Sequence, residues 1–299
     1  MLVCIAHEQG LKYLGDLPAA VTVMVADRPD PGDGVEFWVP PFLAPAAAIG
    51  SLADLTRLRV VQLLSTGVDG WSGRLPDHVT LCNARGAYTS ATAEWAVAAI
   101  LAHLRDFAAF GQAQRDGVWA YHGTDELAGK RVLLVGAGEI GAAIEARLVP
   151  FEVSIVRVAR WARPGVHGVD ELPDLLPAAD IVVLIVPLTR QTTGLVDRAF
   201  LAAMRTGALL VNAARGPVVD TEALTAELRT GRIGAALDVT DPEPLPPDHP
   251  LWQMPNLLLT PHVAGSVTGT RRRAYTLVGD QIRRYATGQA LINVVGGEY

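Results

Sequence analysis

At 299 residues the chain exceeds what one hydrophobic core ordinarily serves, so two domains are expected. Half of the residues are hydrophobic, yet no apolar run reaches the roughly 18 residues of a membrane span, and a net charge of -6 argues against a nucleic-acid surface while leaving room for a small anionic substrate held by local arginines. Cys4 and Cys82, the only cysteines, are too few for a disulfide framework or a cysteine-built metal site, and no metal is expected.

Met1 to Ala6 lacks a basic leader region and reads as a first strand, which favours a cytoplasmic location. Apolar runs at Val3–Ala6, Val21–Ala26, Val35–Val39, Val60–Leu64 and Val79–Cys82 alternate with helical or loop stretches such as Ala46–Leu58, the pattern of a small α/β domain. Ser65-Thr66-Gly67-Val68-Asp69 follows one of these runs. It is either a plain turn or one whose backbone N–H groups face a ligand. Ala91–Phe110 is expected as one long alanine-rich helix crossing between domains.

Val132–Val135 has no polar alternation and suits a strand covered on both faces. Gly136, Gly138 and Gly141 follow in G-x-G-x-x-G spacing: a tight turn, a close approach for a pyrophosphate, and close helix packing. The next helix would begin at that phosphate, where its unpaired N–H groups attract an anion. Further strands at Val153–Val158, Ile181–Val186, Leu209–Val211, Ala235–Val239 and Leu257–Leu259 alternate with helical segments at Leu172–Ala178, Asp197–Met204 and Thr221–Thr230, which predicts a doubly wound parallel sheet. The helix Thr270–Ala286 is expected to pack back on the first domain. The domains are therefore drawn as 1–90 completed by 269–299 for substrate, and 91–268 for dinucleotide.

In open parallel sheets ligands bind beyond the carboxyl ends of the strands. There the sequence places Asn212-Ala213-Ala214-Arg215-Gly216, then Asp238, then His262, with Glu243 in a proline-rich loop between the last two. A guanidinium suits a carboxylate, and an imidazole paired with a carboxylate suits proton transfer near neutrality. Singly, each has a structural alternative: a surface ion pair for Arg215, a helix cap for Asp238, solvation for Glu243, an interior position for His262. Four at successive strand ends point to one site.

The segments N-A-A-R-G from Asn212, L-D-V-T-D-P-E-P from Leu237 and T-P-H-V-A-G from Thr260 resemble the three signatures of the D-2-hydroxyacid dehydrogenase family. The glycine turn at Gly67, the loop at Gly136, V-P-L-T at Val186 and Asn293-Val294-Val295 extend the likeness, which is of the glyoxylate/hydroxypyruvate reductase kind. The resemblance implies two Rossmann-like doubly wound parallel-sheet domains with an interdomain cleft. It implies that Arg215 holds the substrate carboxylate, that His262 is the acid/base paired with Glu243, and that Asp238 orients the nicotinamide. Thr66, Gly67 and Val68 would add N–H groups to the carboxylate. Gly136, Gly138, Glu139, Ile140, Gly141, Pro187, Ala213, Ala214 and Gly265 would line the cofactor. A homodimer through the cofactor domain, with the helix near Ala91 contributing, is also implied.

Two departures from the family pattern stand out. Glu152 occupies a position after Phe151 where the family has glycine, so the second strand is expected to start differently. The acidic residue at the end of that strand is replaced by Ala159, followed by Arg160, Trp161, Ala162 and Arg163. Without the acid, a ribose 2'-phosphate is not repelled, and Arg160 and Arg163, with Arg157 as a weaker candidate, can surround it. The expectation is hydride transfer between NADP(H), with NAD as a second cofactor, and a small 2-oxo or 2-hydroxy acid. The alternative is a non-catalytic nicotinamide-sensing, co-repressor-like protein. Formate oxidation is disfavoured, because formate dehydrogenases of this superfamily carry glutamine where Glu243 stands.

Overall fold

The computed structural model describes residues 1–27, 30–42, 44, 52–71 and 73–296. The chain divides into two compact units, Met1–Tyr88 with Val267–Tyr299, and Thr89–Ser266. Among the described residues the first unit holds five parallel strands, β1 (Leu2–Ile5), β2 (Thr22–Val25), β3 (Phe37–Val39), β4 (Val60–Gln62) and β5 (Thr80–Cys82), in the order β2-β1-β3-β4-β5. Alternate residues serve opposite faces, as a pleated strand requires. Val3, Ile5, Phe37 and Val39 pack with Tyr275, Val278 and Ile282 of the Thr270–Ala286 helix, whose three- and four-residue spacing presents one apolar stripe. Cys4, Trp38 and Val61 instead meet Leu52, Leu58 and Trp71.

Buried amides join the tail to this sheet. Gln281 Nε2 donates to Gln62 Oε1 at 2.9 Å and to the Ile292 carbonyl at 2.7 Å, while Gln62 Nε2 donates to the carbonyls of Leu63 and Asn83 at 2.9 and 3.0 Å. Both side chains are fully buried, so these bonds are required of them. The helical spacing read over Ala46–Leu58 lies outside the described residues before Leu52. Of the remainder only 52–54 form a short 3-10 turn.

The second unit is a seven-stranded parallel sheet of β6 (Arg131–Val135), β7 (Ser154–Ala159), β8 (His167–Gly168), β9 (Ile181–Leu184), β10 (Leu209–Asn212), β11 (Gly234–Leu237) and β12 (Leu257–Leu259). Its order, β12-β11-β10-β9-β6-β7-β8, reverses between β6 and β9, which opens a crevice at the carboxyl ends of those two strands. Helices α1 (Thr89–Leu104), α2 (Phe107–Arg115), α3 (Glu139–Leu148), α4 (Leu172–Leu175), α5 (Arg198–Ala203) and α6 (Thr221–Arg229) accompany the sheet. Val132 and Leu134 pack with α1 and α3, whereas Leu133 and Val135 face the cluster that includes α5 and α6, so both faces are covered. The doubly wound parallel architecture read from the sequence is present in both units.

Two elements differ from the reading. The single helix expected over Ala91–Phe110 is broken: Asp106 takes a left-handed conformation (φ 53°) between α1 and α2. The cause is a returning segment that terminates α1, since Asp125 N–H donates to the Leu104 carbonyl at 3.0 Å and His122 Nε2 bonds Asp106 at 2.8 Å. β8 has no counterpart in the sequence reading, because a two-residue His-Gly edge strand carries no periodicity.

Candidate active site

Strand β6, apolar and buried from Val132 to Val135, delivers the chain into the glycine loop. Gly136 has φ 125°, and a side chain there would strike the Ile185 backbone, while one at Gly141 would strike the Gly136 carbonyl. Loop, β9 end and helix α3 thus approach more closely than any other residue type permits. Gly138 is different: nothing lies within 4 Å of where its Cβ would be. It is also the N-cap of α3 and gives that helix no side-chain cap. An open face over an uncapped helix N-terminus fits a pyrophosphate, so these residues suit a dinucleotide. Thr89 Oγ1 donates to Glu139 Oε1 at 2.8 Å, and Ile140 is half-buried behind the loop.

β7 ends at Ala159 on the neighbouring strand. Arg160 is exposed, with its guanidinium 5.3 Å from the Trp161 ring centre, and Arg163 Nη2 donates to the Ala137 carbonyl of the glycine loop at 3.3 Å. Arg157 belongs elsewhere: its Nε donates to Glu145 Oε2 at 2.6 Å and its Nη2 to Oε1 of the same carboxylate. The Glu152 departure has a backbone consequence, because this residue is left-handed at φ 61°, the conformation that glycine adopts without strain. β7 nevertheless pairs with β6 in unbroken register from Arg131↔Ser154 to Val135↔Val158.

Beyond β10, β11 and β12 the polar residues are tied to one another. Asn212 is buried and its amide closes the A-A-R-G turn, donating to the Arg215 carbonyl at 3.1 Å and accepting from Ala214 N–H at 3.0 Å. Arg215 is half-buried, with Nη1 on the Ala214 carbonyl at 2.6 Å. Gly216 lies directly against the Thr240 carbonyl, which brings this turn onto the loop carrying Glu243. Thr221 Oγ1 and Thr240 Oγ1 hold that loop through the carbonyls of Asp241 and Pro242 at 2.7 and 2.8 Å. Pro187 follows β9, and its carbonyl accepts from Thr192 Oγ1 at 2.6 Å, while Ala213 N–H bonds the Leu184 carbonyl at 3.2 Å.

His262 and Glu243 meet directly, with Nδ1 2.6 Å from Oε1. Their side chains are 44% and 43% exposed, so the pair faces an open surface. Nδ1 is the donor whenever Glu243 is ionised, and Nε2 has no partner among the described residues. His262 itself is left-handed at φ 54°. Asp238 holds it there. Only 2% exposed, Asp238 accepts from Thr260 Oγ1 at 2.6 Å and from the N–H groups of Val263 and Ala264 at 2.8 Å each, and its carbonyl accepts from His262 N–H at 2.7 Å. Gly265 closes the same turn, half-buried.

In the first unit the turn after β4 is shaped from both sides. Ser65 Oγ donates to the Gly67 carbonyl at 2.7 Å, and Asn83 Nδ2 donates to the Thr66 carbonyl at 2.9 Å. A trans peptide points its N–H opposite its C=O, so these two bonds aim the N–H groups of Val68 and Gly67 away from Ser65 and Asn83. Neither N–H finds an acceptor among the described residues. Tyr88, whose hydroxyl is pushed up to about 12 by burial and so stays protonated, donates to the Leu64 carbonyl just before the turn. Ser65 and Thr260 were given no role of their own from sequence, and Asn83 and Glu145 were not singled out; for Ser65, Asn83 and Thr260 the available signal was a polar residue just after an apolar strand, whereas Glu145 on α3 carried none.

Residues 97–264 match the family described as D-isomer specific 2-hydroxyacid dehydrogenase, NAD binding domain. The chain belongs to the D-2-hydroxyacid dehydrogenase family. It is an NAD(P)-dependent oxidoreductase of that family. A glyoxylate reductase of Thermofilum pendens is 38% identical over 257 residues, covering 79% of this chain and 75% of that one. Among solved structures, a D-isomer specific 2-hydroxyacid dehydrogenase from Xanthobacter autotrophicus in complex with NADPH and MES is 33% identical with a TM-score of 0.84, covering 99% of this chain and 98% of that one. An NADPH-dependent glyoxylate/hydroxypyruvate reductase from Sinorhizobium meliloti, in complex with NADP and sulfate, is 26% identical with a TM-score of 0.83, covering 98% and 97%.

Proposed function

We propose that this dehydrogenase interconverts a small 2-oxo acid and its 2-hydroxy acid with NADP(H) as the preferred cofactor and NAD(H) as a second. The observation that carries the reading is the His262–Glu243 pair, with Nδ1 engaged and Nε2 presented. When bound, the nicotinamide supplies or accepts the hydride at the substrate's C2. In reduction, His262 gives its Nε2 proton to the carbonyl oxygen, and Glu243 fixes the ring's orientation and tautomer through Nδ1. Arg215 binds the substrate carboxylate and polarises the carbonyl; in the first unit, the N–H groups of Gly67 and Val68 suit an anionic group. Asp238 serves the nicotinamide end by fixing residues 260–264. Gly138, Glu139, Ile140, Pro187, Ala213, Ala214 and Gly265 line the cofactor.

The relative's name, glyoxylate reductase, supports a small 2-oxo acid, and the NADPH and NADP complexes of the two structural neighbours support the phosphorylated cofactor. So does this chain's own Ala159 followed by exposed Arg160 and Arg163, which offers charge to a 2'-phosphate and no repulsion. The second unit is also proposed to form a homodimer: Phe107, Val118, Trp119 and Tyr121 are large apolar or aromatic side chains left exposed, at 60%, 58%, 94% and 90%, and a partner copy would cover them.

The test is an assay of glyoxylate, hydroxypyruvate and phenylpyruvate with both cofactors, on a sample whose mass in solution is also measured. Turnover should favour NADPH in kcat/KM, and His262→Ala should lower kcat by about 100- to 10,000-fold. Cofactor binding without turnover of any 2-oxo acid would select the nicotinamide-sensing alternative instead.

A further inference from the structure

Arg157 touches three parts of the nucleotide-binding unit at once. It lies on β7, its Nε donates to Glu145 Oε2 of α3 at 2.6 Å and its Nη2 to Oε1, and its Nη1 reaches the Gly165 carbonyl at 3.4 Å. Gly165 sits in a turn closed by reciprocal bonds between Arg163 and Val166, of 2.9 and 2.8 Å, with φ 76° at the glycine. Arg163 in turn reaches the glycine loop through the Ala137 carbonyl. The segment 160–166 is therefore tethered twice, once to the loop ahead of α3 and once to the body of α3.

We infer that Arg157 is a positioning residue for cofactor choice: it holds the Arg160–Arg163 segment in place for a 2'-phosphate without touching that phosphate. Its planar fork is committed to both oxygens of Glu145, a two-point geometry that lysine does not reproduce. The pairing also has an electrostatic side. Glu145 is an acid on the helix to which the turn is tied, and Arg157 neutralises it. Bare, the carboxylate would act against a phosphate within a screening length of about 8–10 Å, and much less against a ribose hydroxyl. The inference rests on the NADP reading above.

The experiment measures Kd for NADPH and NADH by nicotinamide fluorescence titration without substrate, alongside kcat/KM for each, in the full-length protein, wild type against Arg157→Met, Arg157→Lys and Arg160→Ala; the Kd ratio should move with the kcat/KM ratio. Arg157→Met should lower the NADPH-to-NADH ratio by roughly tenfold, the scale of one charge-assisted contact, through KM for NADPH and with kcat unchanged at saturation. Arg157→Lys, which keeps the charge and loses the fork, should fall between. A purely structural role would weaken both cofactors alike, and that result, or an unchanged ratio, overturns the inference. If Arg157→Met does not fold, the pair Arg157→Met with Glu145→Met leaves no bare carboxylate; its ratio should still fall, and an unchanged one overturns the inference. A wild type that prefers NADH overturns the NADP reading itself. A ratio that falls in Arg160→Ala but not in Arg157→Met overturns only the role of Arg157.

Discussion

Asp238 is surrounded by donors. Thr260 Oγ1 and two successive N–H groups converge on its two oxygens, and the residue just before those two is His262, held at positive φ. A left-handed non-glycine residue costs on the order of 1–3 kcal/mol, and hydrogen bonds to a charged acceptor return about 1.5–3 kcal/mol each. The carboxylate thus offsets the strain that aims the imidazole. Asparagine is nearly isosteric but has one acceptor oxygen, so its NH2 would face a donor. Asp238→Asn should lose about 2–3 kcal/mol in urea denaturation, lose kcat because His262 is no longer fixed, and weaken cofactor binding because residues 260–264 loosen at the nicotinamide end. Wild-type stability in this variant would mean that the turn is held by other contacts.

At the scale of elements, the glycine spacing and the unalternated strand ahead of it made β6, its loop and α3 legible, because each step there is dictated by local backbone sterics. Arg215, Asp238 and His262 were legible for a related reason: in a parallel sheet the residue after each strand lies on the same rim. What local sequence does not carry is termination by distant chain. The break at Asp106 depends on Asp125 and His122 returning to the end of α1, and the commitment of Arg157 depends on Glu145 twelve positions earlier, across a helix. Glu152 is an intermediate case, readable as a departure from glycine but not as a conformation until its φ of 61° is seen. Its side chain is exposed, and its N–H and carbonyl bond Val149 and Gly129, which a glycine would preserve. The left-handed penalty of about 1–2 kcal/mol exceeds the roughly 0.5–1 kcal/mol that glycine adds in chain entropy. Glu152→Gly should therefore raise stability by up to about 1 kcal/mol, read as a higher Tm, and a lower Tm would show that the glutamate side chain contributes to the strand's start.

At the scale of the whole molecule, each unit holds a half-buried histidine in a setting that disfavours its charge. In the first unit His7, 2.9 Å from the Tyr275 hydroxyl, titrates below its ordinary value because burial and then Arg271 oppose protonation, with Asp27 a partial counterweight. In the second unit His103 of α1 lies against Gly234 at the start of β11, and burial lowers its pKa against a smaller opposing pull from Asp106. For a base with a lowered native pKa, the unfolded chain binds the proton more readily, so stability rises with pH. The contribution is complete above the unfolded value of about 6.5 and is lost progressively as pH falls through that value toward the native one. Carboxylates with lowered values, such as Asp125 hydrogen-bonded by Lys130, act in the same direction but only in the more acid range below about 4. Comparing denaturation midpoints at about pH 7.5 and about pH 5.5 therefore isolates the histidines. The wild type should lose stability over this interval, His7→Gln and His103→Gln should each reduce the loss, and the double variant should show the flattest profile. If the double variant loses as much as the wild type, the acid sensitivity arises from other groups.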